Sequence, residues 1–314
     1  MSDESLIERA GRRLAELRRA GSDKPGRDSG AEGAAVAERK VRSASQPVPA
    51  GNDAPELSAT KSQSRLVELD LARLAAAGFV TPDAPRSRVA DEFRILKRPL
   101  IANASERGGV PAQNRNLIMV TSAVPQEGKT FCAVNFAMSI ALEFDRSVLL
   151  VDADVAKPSL PEVLGLPVSE GLLDVLNDRS LDLSRVLLRT NVEKFSVLAS
   201  GTPHPRATEL LASTAMASLL MDLANRYADR IIIFDSPPLL VATEAPVLAT
   251  QMGQIVLIVR AESTLQSDVR RALAAIESCP VKLIVLNQAG FSADAAQGSR
   301  YGYGYGYGYG KPPG

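Results

Sequence analysis

Short, predominantly apolar blocks recur from residue 117 onward, at 117–120, 148–151, 196–199, 231–234, 255–259 and 283–286. Blocks of four or five residues without regular polar alternation are what strands buried on both faces require. Between them apolar positions return at helical spacing, most clearly over 131–142. Strands that alternate with helices predict a mostly parallel sheet with helices on both faces, an α/β architecture. Upstream, the segments 66–79 and 89–100 also show apolar residues at helical intervals and are predicted as two helices entering the domain.

Both ends of the chain have a different pattern. Leu6, Ile7, Ala10, Leu14 and Leu17 are spaced as one stripe of an amphipathic helix over 1–20. That stripe fits either docking on its own domain or binding a partner or membrane surface. Residues 21–64 are rich in Ser, Ala, Gly, Pro and charge, so burial cannot offset ordering entropy, and a disordered linker is predicted. The folded domain is then expected over 65–298. Over 299–314, Tyr301, Tyr303, Tyr305, Tyr307 and Tyr309 alternate with glycine and account for five of the chain's six tyrosines. A flexible, exposed tyrosine array suits either self-association or service as a phosphoryl acceptor.

Composition narrows the function classes. Of 314 residues 45% are hydrophobic, enough for a substantial core. Lys+Arg and Asp+Glu both number 36, so charge gives no case for nucleic acid. No apolar stretch approaches the roughly 20 residues that span a bilayer, and the polar N-terminus lacks a secretory core, which predicts a cytoplasmic protein. Cys132 and Cys279 sit in apolar contexts and read as reduced core thiols; His204, the sole histidine, lies between two prolines and reads as a turn residue.

The chemistry concentrates where the strand starting at Leu117 enters Ala123-Val124-Pro125-Gln126-Glu127-Gly128-Lys129-Thr130 and then a helix. Successive amides at such a junction point at an anion, and the helix dipole adds positive charge. Gly128 permits close approach, Lys129 reaches β- and γ-phosphates, and the Thr130 hydroxyl suits Mg²⁺. Ala123 stands where G-x-x-x-x-G-K-[ST] has its first glycine. Two later strands end in acids, Asp152 with Asp154 and then Asp235, at the sheet edge where open α/β folds bind ligands.

The loop, the acid-tipped strands and the tyrosine tail together resemble the bacterial tyrosine kinases, and within them the autokinases of PEP-CTERM/exosortase polysaccharide loci. The resemblance implies a P-loop NTPase-like fold, with Ala123 to Thr130 as Walker A, Asp152 and Asp154 as the second acidic motif and Asp235 as Walker B. It implies ATP held against Gln126, Glu127, Gly128, Lys129, Thr130 and Phe131, with Asn287 at adenine or in a turn. Mg²⁺ is expected at Thr130, Asp152 and Asp235; Lys129, Asp152 and Asp154 are the implied catalytic groups, and the tail tyrosines are acceptors in trans. Asp91, Arg94 and Lys97 occupy the family's E-x-x-R-x-x-R oligomerisation motif, implying a ring, whereas Ala156 replaces an arginine common after the second acid. Further implications are a membrane chain-length regulator whose cytosolic segment activates the kinase, a tyrosine phosphatase, attachment at the inner membrane through that partner, and control of exopolysaccharide export. Two rival readings are a partition or septum-placement ATPase, whose signature lysine would fall at Val124, and a non-catalytic ATP-binding scaffold.

Overall fold

A computed structural model describes residues 64–84, 86–105, 114–226 and 230–289. The predicted N-terminal helix, linker and tyrosine tail lie outside the described residues.

The apolar blocks form strands as predicted, except that the last, an edge strand, is not buried on both faces: Lys282, Ile284 and Leu286 are exposed along one side. The strands are β2 (Leu117–Ser122), β3 (Ser147–Asp152), β5 (Phe195–Leu198), β6 (Arg230–Asp235), β7 (Gln254–Arg260) and β8 (Val281–Asn287). With β1 (Arg65–Val67) and β4 (Leu188–Thr190) they make one sheet in the order β1-β4-β5-β3-β6-β2-β7-β8. Every neighbouring pair is parallel except β4 with β5. Because β2 lies between β6 and β7, while β3 lies on the far side of β6, the connections leave the centre in opposite directions. That reversal opens a crevice beyond the strands' carboxyl ends.

The strand period of two divides the core into two layers. Ile118, Val120, Val148, Leu150, Ile231 and Ile233 face one layer, where α2 (Arg88–Ala104) and α3 (Lys129–Ala141) pack. Leu117, Met119, Leu149, Val151, Ile232 and Phe234 face the other. There they meet α5 (Leu172–Asn177), α8 (Thr214–Arg226), α9 (Glu244–Ala249) and α10 (Gln266–Ala275). The remaining helices are α1 (Leu71–Ala76), α4 (Leu160–Leu164), α6 (Leu183–Val186) and α7 (Ala207–Leu211). Helix α3 is buried from Cys132 to Ala141 because it lies between the sheet and α2, where the Phe93 and Phe136 rings meet edge-on at 5.0 Å. Both cysteines are buried free thiols, and burial pushes Cys132 up to about 12, which makes it chemically inert.

The segment 66–79 is not one helix. Asp70 interrupts it by accepting the Arg73 amide at 2.9 Å as the cap of α1, and the residues before it extend along β4 as β1. Strand β4 escaped the hydrophobic pattern because it has only three residues and alternates buried, exposed, buried. No helix among the described residues is long and apolar enough to cross a membrane.

Candidate active site

The loop leaving β2 achieves its bend with two left-handed residues, Gln126 at φ 67° and Gly128 at φ 89°. Gly128 is needed twice over, since a β-carbon there would lie 2.1 Å from Asn287 Nδ2. Ala123 is not among the left-handed positions and its methyl is fully buried, so the loop forms without the usual first glycine. Lys129 then opens α3, whose first turn directs amides into the crevice.

The strand-end acids converge on this loop. Asp152 and Asp235 are register partners on adjacent β3 and β6, and the Ala153 amide donates to the Asp235 carbonyl at 2.9 Å. Asp154 meets the Lys129 ammonium at 2.8 Å. The Thr130 hydroxyl lies 2.9 Å from that of Ser159. Asp152 and Asp235 are both fully buried, and none of their carboxylate oxygens has a well-aligned hydrogen-bond partner; the Leu160 and Asp154 amides face Asp152 and the Thr130 hydroxyl faces Asp235 without completing one.

Burial, reinforced by Asp235 and Asp154, pushes the Asp152 carboxyl up to about 8; the facing amides of Leu160 and Asp154 offset only part of this. Burial also lifts Asp235, to about 6, against the opposing pull of Lys129 and the Thr130 hydroxyl. Two enclosed carboxylates with vacant acceptor sites, next to a hydroxyl, form a donor set of hard oxygens that suits Mg²⁺. Without a cation their proximity favours keeping a proton between them.

Other predicted site residues are placed as follows. Gln126 is exposed at the loop's bend. The Glu127 side chain turns inward: it accepts the Val124 amide at 2.8 Å and the Thr264 hydroxyl. Asn287 donates its side-chain N–H to the Glu127 carbonyl at 2.9 Å, so it braces the loop. Phe131 packs against Phe79 with the rings tilted at 44° and their centroids 5.0 Å apart, and it lines a groove of about 670 Å³ that runs from Asn287 between α2 and β8.

Lys97 differs from its predicted role. Its ammonium is buried, bonded to the Ser139 carbonyl and paired with Glu143 at 2.7 Å, so it is not presented to another subunit. Burial lowers its pKa despite that partner, and the Lys97 hydrogen bond lowers that of Glu143. Asp91 and Arg94, by contrast, form an exposed pair on α2. His204 forms the expected turn, its Nδ1 accepting the Arg206 amide at 3.1 Å. Ser159 and Thr264 were not foreseen as site residues; both are hydroxyls just ahead of a helix, a place shared with any ordinary cap.

No family model matches the chain. It is 31% identical over 200 residues to the tyrosine-protein kinase YwqD of Bacillus subtilis, covering 64% of this chain and 80% of that one. The solved kinase domain of the Escherichia coli tyrosine kinase Etk superposes with a TM-score of 0.56 at 26% identity, covering 71% of this chain and 83% of its own. The chimeric protein CapA2B2 gives the same TM-score and identity over 71% of this chain and 93% of that one. Sequence and fold thus agree with the loop-and-acids geometry, and the chain belongs to the bacterial tyrosine-protein kinase family.

Proposed function

We propose that the site transfers the γ-phosphoryl group of Mg-ATP to tyrosines 301, 303, 305, 307 and 309 of another copy. The observation that supports this most is the meeting of Lys129, Thr130 and Asp154 with the two buried carboxylates of Asp152 and Asp235. The loop amides and Lys129 hold the triphosphate, and Lys129 exchanges Asp154 for phosphate oxygens. Thr130, Asp152 and Asp235 would hold Mg²⁺, which supplies charge neutralisation at the transferring group when bound. A tyrosine phenol has a pKa of about 10 and requires a base at neutral pH. Asp152 accepts its proton as the phenolic oxygen bonds to phosphorus and the bond to the β,γ-bridging oxygen breaks, releasing ADP. The groove beginning at Phe131 and Asn287 is the space beside the loop for the base.

Transfer in trans follows from geometry of supply: in an assembly a neighbour's tail is presented at high effective concentration. Asp91 and Arg94 on α2 form the proposed contact face, without Lys97. Each phosphotyrosine adds about −1.5 to −2 charge, so a fully modified tail loosens the assembly. The same reading assigns the chain to the inner membrane through a chain-length regulator, with a phosphatase resetting the tail, in exopolysaccharide export.

Mass spectrometry after incubation with Mg-ATP and the regulator's cytosolic segment tests the reaction: wild type gains tail phosphates and Lys129→Met does not. Tail tyrosines unmodified in both would defeat the kinase assignment for this tail. In a mixture, Lys129→Met protein becoming phosphorylated beside active, tailless protein establishes trans transfer; its staying unmodified rejects it.

A further inference from the structure

We infer that Glu127 is a positioning residue: its side chain anchors the phosphate loop to the connection between β7 and α10, with Thr264 as the other half of the anchor. The inference rests on the proposed nucleotide site but has a readout of its own.

An acid inside a loop that receives a triphosphate is electrostatically unfavourable unless its charge is directed elsewhere. Glu127 is 1% exposed, and its carboxylate is met by the Val124 amide at 2.8 Å, the Thr264 hydroxyl, and more distantly the Arg260 amide at 3.4 Å. The bond to Val124 closes a small ring across the bend, and the bonds to Thr264 and Arg260 tie that ring to the end of β7. From the other side Asn287, at the end of β8, holds the Glu127 carbonyl. One residue is therefore clamped by two strands while its neighbours Gln126 and Gly128 hold left-handed backbones. In a loop where Ala123 replaces the first glycine, this clamp maintains the curvature that aims the following amides at phosphate.

Thr264 lies outside the residues assigned to nucleotide, so it gives the cleaner variant. Thr264→Val removes the hydroxyl at nearly constant volume, Thr264→Ser retains it, and Glu127→Gln presents an amide to groups that donate. Two measurements are made: Mg-ADP affinity by calorimetry, and amide hydrogen exchange across 123–128 in nucleotide-free protein. Thr264→Val and Glu127→Gln are each expected to weaken Mg-ADP binding about 5- to 20-fold, with the double variant within about 2-fold of Glu127→Gln, as residues sharing one interaction behave. Exchange across 123–128 quickens in both while the strands are unchanged, and Thr264→Ser behaves as wild type. Wild-type exchange and affinity in Thr264→Val, or additive losses in the double variant, would overturn the anchor. Should wild type bind no nucleotide, the proposed function fails, and the exchange comparison alone decides the anchor. If Glu127→Gln does not fold, Thr264→Val against Thr264→Ser still decides it.

Discussion

Lys97 and the Asp152–Asp235 pair are both buried, and they are buried in opposite ways. Between α2 and α3, Lys97 is enclosed but satisfied, with Glu143 at 2.7 Å and the Ser139 carbonyl as partners. At the carboxyl ends of β3 and β6, Asp152 and Asp235 are enclosed and unsatisfied. A buried charge with partners holds elements together, whereas buried carboxylates without them are retained at a cost in stability for a ligand that completes them. The Lys129 to Asp154 pair lies between these extremes, partly open to solvent and positioned to exchange partners when phosphate arrives. The contrast explains how one side chain of a motif can belong to the scaffold while others belong to the chemistry.

The largest effect is expected from removing the cation that meets Asp154. Lys129→Met should lower phosphoryl transfer on the order of 10²- to 10³-fold or more, because a charge-neutralising donor is lost. A denaturation midpoint near that of wild type would show that the loss is chemical; a collapse of the fold would place Lys129 with Lys97 in the scaffold and break the distinction. Next comes Lys97→Met, which keeps the apolar volume but leaves the Ser139 carbonyl without the Lys97 donor and Glu143 with the more distant Arg98 guanidinium at 3.8 Å. With Glu143 partly solvated, the expected loss is about 2 kcal/mol in urea unfolding, below the range for fully enclosed pairs. A variant of unchanged stability that fails to assemble would restore Lys97 to an interface role.

The smallest effect has the opposite sign. Asp152→Asn should stabilise the nucleotide-free protein at pH 8 by about 1–2 kcal/mol, as relief of a strained functional site does, while impairing transfer. Asp152 has a folded pKa of about 8 against a usual 3.8, so the unfolded chain ionises first as pH rises. Its contribution to stability is complete below the unfolded value and is lost as pH climbs through about 8. Wild-type protein without Mg²⁺ or nucleotide should therefore lose stability between about pH 4 and pH 8, and Asp152→Asn should lose less. Parallel pH profiles for the two proteins would remove the orphaned carboxylate from the comparison.

Strands β2, β3, β6 and β7 were legible as apolar blocks because each is buried on both faces, which leaves no polar alternation to confuse their period. Acids at strand ends were legible for the same reason, since they interrupt such runs abruptly. Strands β1 and β4 were not, because at three residues each their pairing, rather than their own composition, makes them strands. Nor did the letters distinguish Lys97 from Arg94: both sit at three-residue spacing on α2, yet only Lys97 turns inward to Glu143. The sign of each helical position's exposure was set by where α3 lies.

By itself, then, the sequence determined the local grammar of this protein: a doubly covered parallel sheet, a loop shaped for phosphate and acids at strand tips. These depend on residues close in the chain, whose periodicity and turn chemistry are written in order. Only the tertiary structure decided which groups complete one another. Asn287 reaches Glu127 across 160 positions, Thr264 reaches it across 137, and Asp152 meets Asp235 because strand order makes them neighbours. Distance along the chain carries no record of such meetings, because packing sets them, and packing is a property of the whole sheet.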